Sequence, residues 1–253
     1  MTSPRFHCPV PLAAGTSIEL PENAARHAAR VLRLRVGDDV VLFEGNGGEC
    51  TARIAAVERD RVTVDVLDRQ AVEREAPISV TLVQALQSGD KMDLTIQKAV
   101  ELGAAAIVPV ASRRSVLKLE GARAAKRLAH WQGVAVAACE QCGRNRVPPV
   151  AEIESLERWL AQPAPANVLR LMLAPGADAT LAALPRPTAD TRIELLIGAE
   201  GGLAPEELEK ATQAGFVGVR LGPRILRTET AGLAALAALQ CLWGDFGEGE
   251  GHV

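Results

Sequence analysis

The chain has 253 residues, of which 48% are hydrophobic and 23% charged, a composition typical of a folded protein with a substantial core. A formal net charge of −3 excludes a protein that is basic throughout, so nucleic acid would have to bind a local patch. Five irregularly spaced cysteines and an N-terminus without a signal-peptide layout predict reduced thiols and a cytoplasmic location. The longest apolar stretch, Ala231–Trp243, falls short of the ~20 residues that a membrane span needs, so no membrane association is expected.

Residues 1–72 predict a small first domain built from β-strands. Strand-like apolar runs occupy Val40–Phe43, Cys50–Val57 and Val62–Leu67. Asn46-Gly47 is a strong hairpin signal between the first two runs, and a short helix is predicted over Pro21–Leu34. We expect a small all-β barrel that carries one or two helices.

Residues 73–253 predict a second, larger domain in which strands alternate with helices. The predicted strands are Ile78–Ala85, Ala105–Val110, Val168–Leu173, Ile193–Ile197 and Phe216–Leu221. The predicted helices are Lys91–Leu102, Gly121–Cys139, Pro205–Ala214 and Thr228–Leu242. This alternation indicates an α/β domain with a mainly parallel sheet.

The first of two glycine turns is Gly198–Gly202, which follows an apolar run and precedes a helix that starts at Pro205. A tight strand-to-helix turn explains this pattern without a ligand, although glycines also let a backbone approach a ligand closely. No Lys-Ser/Thr pair follows the glycines, so the turn is not a P-loop. The dinucleotide fingerprint GxGxxG is also missing, which disfavours an NAD-dependent oxidoreductase.

The second glycine turn lies within Leu221–Ala231. Thr228 would serve as a simple N-cap for an Ala-rich helix, but that interpretation leaves Arg224, Arg227 and Glu229 unexplained so close to a turn. An α/β sheet builds its site from groups at the carboxyl edge of its parallel strands. The two glycine turns are therefore expected to form two walls of one pocket.

Positive charge accumulates between Ser112 and Arg146, in a chain that is acidic overall. Such a run is typical of a solvated helix face, and it also suits a phosphate-binding patch for RNA. The CxxC pair, Cys139 and Cys142, ends a predicted helix and has no second ligand pair at metal spacing. Neither a zinc site nor any other metal site is predicted.

Four segments together carry a resemblance to a known family: GDKMDLTIQKAVELGAAAIVPV, CEQCGRNRVP, LLIGAEGGL and LGPRILRTETA. With them, nearly the whole chain resembles the bacterial 16S rRNA (uracil-N3) methyltransferases, the RsmE family of the SPOUT superfamily. The resemblance implies a PUA-like RNA-binding β-barrel followed by a SPOUT α/β domain with a trefoil knot. It further implies S-adenosylmethionine as methyl donor, a homodimer, and the 16S rRNA of the small ribosomal subunit as substrate.

The resemblance also implies a donor pocket, residue by residue. Its members are Leu173, Leu196, Ile197, Gly198, Glu200, Gly201, Gly202, Leu221, Gly222, Leu226, Arg227, Thr228 and Thr230. Ala199 stands where the family usually has Pro, which predicts a turn with slightly more freedom before the donor binds.

Methylation of uracil N3 requires loss of the N3 proton and stabilisation of the charge that develops on O2 and O4. Arg227, Arg144 and Arg224 are candidates for stabilising that charge, and Glu229 or Glu140 is a candidate base. Basic residues in both domains are predicted to bind rRNA phosphates: Arg5, Arg30, Arg33, Arg113, Arg114, Arg144 and Arg146.

Two further functions stay open from the sequence. Knotted methyltransferases that modify a ribose in tRNA or rRNA resemble this chain in the first glycine turn, but typically carry Ser-Leu-Asn where it has Arg227-Thr228-Glu229-Thr230. A non-catalytic RNA-binding module with the same fold would lack affinity for the methyl donor.

Overall fold

The structure is a computed structural model that describes residues 3–59 and 61–247. It divides into two compact units. The first unit ends at Glu75, close to the predicted boundary at residue 72, and also takes in Val136–Val147 from later in the chain. The second unit comprises Ala76–Ala135 and Pro148–Val253. The first unit is thus discontinuous in sequence, which the prediction of two consecutive domains did not include.

The first unit contains one five-stranded sheet. Its strands are β1 (Arg5–His7), β2 (Ser17–Glu19), β3 (Asp39–Phe43), β4 (Glu49–Glu58) and β5 (Arg61–Gln70). They lie in the order β1-β3-β4-β5-β2, with β1 parallel to β3 and the other pairs antiparallel. Alternate residues of β5 point inward, so Val62, Val64 and Val66 are buried in the core.

The predicted hairpin between β3 and β4 is confirmed by their antiparallel pairing. Its connection is longer than a two-residue turn, and Gly45, Gly47 and Gly48 all have positive φ. The helix predicted over Pro21–Leu34 is shorter: α1 (Glu22–Arg26) continues into a single π-helical turn, His27–Val31.

The second unit is built on a six-stranded, entirely parallel sheet. Its strands are β6 (Ser79–Ala85), β7 (Ala106–Ala111), β8 (Glu154–Ser155), β9 (Val168–Leu173), β10 (Arg192–Ile197) and β11 (Val217–Val219). Their order is β11-β9-β10-β6-β7-β8. The strands predicted in this domain are all present, and β8 is an additional short strand at the edge. The central strands β6 and β10 are buried along most of their length, as expected where both faces of a sheet are covered.

Helices connect these strands. They are α2 (Lys91–Glu101), α3 (Gly121–Cys142), α4 (Leu156–Leu160), α5 (Pro205–Gln213) and α6 (Thr228–Trp243), with a 3-10 turn over Leu181–Ala183. At Gly232, an added Cβ would lie 3.3 Å from the Ile197 side chain, so α6 approaches the sheet closely because this position has no side chain. Within the described residues, no helix combines the length and apolar character needed to cross a membrane.

Candidate active site

A cavity of about 980 Å³ lies where β9, β10 and β11 end, at the carboxyl edge of the parallel sheet. Its lining residues come from the segments 172–179, 197–203, 218–222 and 224–226, from parts of α5 and α6, and from Arg114. The volume is at the upper end of the range for small-molecule sites. The carboxyl edge of a parallel sheet is where α/β proteins bind ligands.

The turn Gly198–Gly202 forms the first wall of the cavity. It is closed by a hydrogen bond from the Gly202 amide to the Ala199 carbonyl at 2.8 Å. A Cβ added to Gly198 would lie 2.9 Å from the backbone of both Gly202 and Leu203, so no larger residue fits without moving the turn. Gly202 itself has a φ of 72°, a left-handed conformation that favours glycine.

Glu200 fastens this turn to the segment before α2. Its Oε1 accepts hydrogen bonds from the backbone amide and the hydroxyl of Ser88, at 3.0 and 2.7 Å. Lys91 Nζ lies 3.5 Å from the same oxygen. Burial alone would raise the pKa of Glu200, but the hydrogen bonds from Ser88 and the charge of Lys91 lower it to about 2. Glu200 is therefore ionised at neutral pH.

A buried hydrogen-bond network supports the floor of the cavity. Thr228 Oγ1 donates to the Gly198 carbonyl at 2.6 Å and accepts from the side-chain amides of Gln84 and Gln87 at 3.1 and 3.2 Å. Gln87 in turn accepts from the Thr95 hydroxyl at 2.9 Å. The alternative interpretation of Thr228 as an N-cap is wrong, because Arg227 occupies the N-cap position and the Thr228 hydroxyl turns back to the glycine turn.

Most of the predicted donor-binding residues line this one cavity. They are Leu173, Ile197, Gly198, Glu200, Gly201, Gly202, Leu221, Gly222, Leu226 and Thr228. The side chain of Leu196 is buried in the apolar core beneath the cavity. Arg227 and Thr230, at the start of α6, are exposed and do not line it.

Among the candidate catalytic residues, Arg224 lines the cavity and Arg227 is exposed beside it in sequence. Glu229 lies largely buried at the start of α6. Its Oε2 is 3.7 Å from Lys91 Nζ and has no hydrogen-bond partner among the described residues. Lys91 thus contacts both Glu229 and Glu200, and neither the spacing nor the motifs had singled it out.

Two other candidates lie in the first unit. The Arg144 guanidinium is almost fully buried and forms an ion pair with Glu75. Glu140 accepts a hydrogen bond from the His7 amide at 2.9 Å, and burial raises its pKa. The structure thus gives Arg144 a partner within its own unit, and its catalytic role stays a prediction.

The predicted RNA-binding residues differ in their exposure to solvent and in their contacts. Arg30, Arg33, Arg113 and Arg146 are exposed, and Arg146 is paired with Glu73 at 3.1 Å. Arg5 is instead held inside the first unit by Glu49 at 2.6 Å and by Asn145. Arg114 is exposed but points to the cavity, where it donates to the Gly201 carbonyl at 2.6 Å.

The polar residues behind the cavity were missed by sequence analysis. Gln84, Gln87, Ser88 and Lys91 all lie in β6, in the loop after it or at the start of α2. Their partners are more than a hundred residues away, since 112 positions separate Ser88 from Glu200. No spacing rule connects them. Of the four, only Lys91 lies within the motif GDKMDLTIQ, which was used for the resemblance and not for individual roles.

Two family models match the chain. An RNA methyltransferase domain matches residues 74–240, and an RNA methyltransferase PUA domain matches residues 20–67. Curated relatives are similar over most of their length. Ribosomal RNA small subunit methyltransferase E of Buchnera aphidicola subsp. Schizaphis graminum is 33% identical, over 96% of this chain and 97% of the relative. The Bacillus subtilis protein of that name is 34% identical, over 84% and 85% of the two chains.

Solved structures are similar over the same extent. Ribosomal RNA small subunit methyltransferase E from Neisseria gonorrhoeae, bound to S-adenosyl methionine, superimposes with a TM-score of 0.90 at 43% identity. A putative methyltransferase from Legionella pneumophila, in complex with the same cofactor, gives 0.92 at 35% identity. Each comparison covers 97% of this chain and all of the other.

Proposed function

Because this chain belongs to the family of ribosomal RNA small subunit methyltransferase E, we propose that it methylates 16S rRNA with S-adenosylmethionine as donor. We further propose, from the resemblance described above, that the target is N3 of one uridine. The observation that carries the proposal is the glycine-walled cavity at the carboxyl edge of the sheet, in a chain that aligns end to end with donor-bound relatives.

The cavity suits the methyl donor in shape and charge. Gly198 and Gly222 shape the two walls: Gly198 lets the turn fold back to within 2.9 Å of where a Cβ would lie, and Gly222 adopts a φ of 67° that favours glycine. Ile197, Leu221 and Leu226 offer apolar walls for an adenine ring. The carboxylate of Glu200 complements a positively charged ligand. When bound, the donor supplies a methyl group activated by its sulfonium.

The protein's own contribution is to orient the two reactants and to manage the proton of N3. Arg224, which lines the cavity, and Arg227, at the N-cap of α6, would stabilise negative charge on the uracil oxygens. Glu229 is the proposed base. Its buried Oε2 accepts no hydrogen bond from the described residues and lies 3.7 Å from Lys91 Nζ, so it can take up a proton while Lys91 holds the carboxylate in place. Arg144 stays a prediction for the same charge-stabilising role.

Substrate binding is proposed to use the exposed arginines Arg30, Arg33, Arg113 and Arg146. They are distributed over both units, and each would neutralise a phosphate of the rRNA. The target uridine must leave its stack to reach a cavity within the protein.

Since the proposed substrate is a ribosomal subunit, we place the protein in the cytoplasm, where its five free thiols stay reduced.

Assembly and topology complete the proposal. Between Ala231 and Leu239, helix α6 has only apolar residues and glycine; Leu236 and Leu239 are buried, and Cys241 and Leu242 near its end are exposed. A second copy of the chain would cover that outer side, so we propose a homodimer.

We also propose that the first unit closes into a PUA-like barrel. For the second unit we propose a C-terminal trefoil knot. Its support is the insertion of β10 between β6 and β9, with α6 returning onto β6 and β10.

The test of the function uses small ribosomal subunits from cells that lack the modification. Labelled S-adenosylmethionine and the wild-type chain should transfer label to 16S rRNA in these subunits and not to large subunits. Isothermal titration with the donor, without RNA, separates an enzyme from an RNA-binding module of the same fold. If the wild-type chain bound no donor, the proposed methyltransferase function would be wrong.

A further inference from the structure

Arg114 occupies an unexpected place for a residue predicted to bind phosphate. Its guanidinium donates to the carbonyl of Gly201 at 2.6 Å, and its aliphatic stem lies against the same residue. A Cβ added at Gly201 would lie 3.2 Å from Arg114 Cδ and 3.3 Å from its Cβ. Arg114 also lines the cavity, 87 positions away in sequence from the turn that it contacts.

The segment that carries Arg114 is held firmly. The buried residues Ser112 and Ser115 form a tight turn, with a hydroxyl-to-hydroxyl distance of 3.0 Å and a backbone hydrogen bond of 3.1 Å. The amide of Arg113 donates to Glu207 Oε1 at 2.8 Å. The start of the Arg114 side chain is therefore fixed on the scaffold, so that its hydrogen bond can restrain a more flexible partner.

The partner needs such restraint. The turn Gly198–Gly202 contains three glycines, which lose more conformational freedom on ordering than other residues. Thr228 fixes the Gly198 carbonyl and Ser88 fixes the Glu200 carboxylate, but both contacts approach from one side, the β6–α2 region and α6. Arg114 fixes the Gly201 carbonyl from the β7–α3 connection.

We propose that Arg114 is a positioning residue of the donor site, which holds the glycine turn in its ligand-ready conformation. This inference rests on the proposed function, since it assumes that the cavity binds S-adenosylmethionine. Holding a flexible wall in advance increases affinity, because less freedom is lost when the ligand binds. Arg114 thus acts on the donor through the turn, and the sequence-based assignment to rRNA phosphate is not needed to explain its position.

The adjacent Arg113 provides a matched control. It carries the same charge on the same segment, but its guanidinium lies 3.7 Å from Glu206, and it is not among the residues that line the cavity. If positive charge near the cavity alone increased donor affinity, replacing either arginine would lower that affinity equally. If the contact with Gly201 increases donor affinity, only the replacement of Arg114 will lower it.

The experiment measures S-adenosylmethionine affinity by isothermal titration, without RNA, for the wild-type chain, Arg114→Ala, Arg114→Lys and Arg113→Ala. We expect Kd to rise roughly five- to tenfold for Arg114→Ala, in keeping with loss of one charge-assisted hydrogen bond at a partly solvated site. Arg114→Lys should recover part of the loss, because it keeps a charged donor. Arg113→Ala should leave the Kd unchanged.

The salt dependence of rRNA binding separates the alternatives. A phosphate contact would make Arg114→Ala lower the slope of log K against log salt by about 0.7 to 0.9. Wild-type donor affinity in Arg114→Ala would overturn the proposal, and a lowered salt slope in that variant would then assign Arg114 to an rRNA phosphate. If instead the wild-type chain itself bound no donor, the proposed function would fail and not this inference alone.

Discussion

Replacing Thr228 by Val tests the network beneath the cavity. Valine keeps the shape of threonine but has no hydroxyl, so the Gly198 carbonyl loses its donor and the Gln87 amide loses its acceptor. Gln84 keeps a hydrogen bond to the Ala85 carbonyl at 3.0 Å. Each buried polar group left unpaired costs ~1–3 kcal/mol, and two are stranded here. The sum is about 2–6 kcal/mol, and because the bond to the Gly198 carbonyl is only partly buried we expect the free energy of unfolding to fall by about 2–4 kcal/mol.

The matched control is Thr228→Ser, which keeps the hydroxyl and loses one methyl group, a change that costs about 1 kcal/mol. For a unit of this size, Thr228→Val should lower Tm by roughly 5–15 °C, and Thr228→Ser by only a few degrees, about 2–4 °C. Differential scanning calorimetry measures both. The Kd for S-adenosylmethionine should rise more for Val than for Ser, because the Gly198 carbonyl shapes the cavity wall. Equal Tm values for the two variants would refute the argument, since shape and not the hydroxyl would then matter.

Three more predictions concern the second unit. Gly198→Ala should weaken donor binding at least about tenfold, because its Cβ would lie 2.9 Å from backbone atoms. The control Gly133→Ala has open space around its Cβ on α3, so it should raise Tm slightly and leave donor affinity unchanged. Calorimetry measures the Tm of both variants, and titration measures their donor affinity. Arg170→Met leaves Glu194 buried without its partner at 2.8 Å, so unfolding in denaturant should show a loss of about 3–5 kcal/mol, mostly rescued by Glu194→Gln. Because folding lowers the pKa of Glu200 from 4.5 to about 2, the ionised carboxylate stabilises the fold above pH 4.5, and this stabilisation is lost as the pH falls from 4.5 towards 2. The difference in unfolding free energy between the wild type and Glu200→Gln should therefore shrink over that pH range.

The strands of the second unit were predictable because parallel strands leave continuous apolar runs in the sequence. Val168–Leu173 matches β9 as predicted, and the other predicted strands agree to within two residues at each end. The strands β1, β2 and β8 were not predicted. Each has only two or three residues, and its conformation is set by pairing with distant strands and not by local pattern.

The return of residues 136–147 to the first unit was equally hidden from the sequence. It depends on contacts such as that between Arg5 and Asn145, which are 140 positions apart. Glu49 illustrates the same point. Burial would raise its pKa, but hydrogen bonds from Arg74, Arg5 and Asn145 lower it to about 2. These residues come from three separate parts of the chain, so no motif or period links them.

The site was predictable where backbone geometry demands a residue type, and elsewhere it was not. The glycine turns Gly198–Gly202 and Leu221–Gly222 mark two cavity walls, because glycine is needed for close approach and for positive φ. Other contributions include those of Arg114, of Arg224 and of the loop around Asp178. Charged residues of that kind serve many purposes on a surface, so only the fold could assign them to the cavity.

The position of the transferred methyl group tests the central claim most directly. Small subunits that lack the modification are incubated with labelled S-adenosylmethionine and the wild-type chain, and the 16S rRNA is digested to nucleosides for mass analysis. We predict that the label appears as 3-methyluridine at one site per subunit, and that the reaction slows in Gly198→Ala. Label recovered on a ribose 2′ oxygen, or on a base other than uracil, would contradict the proposed reaction.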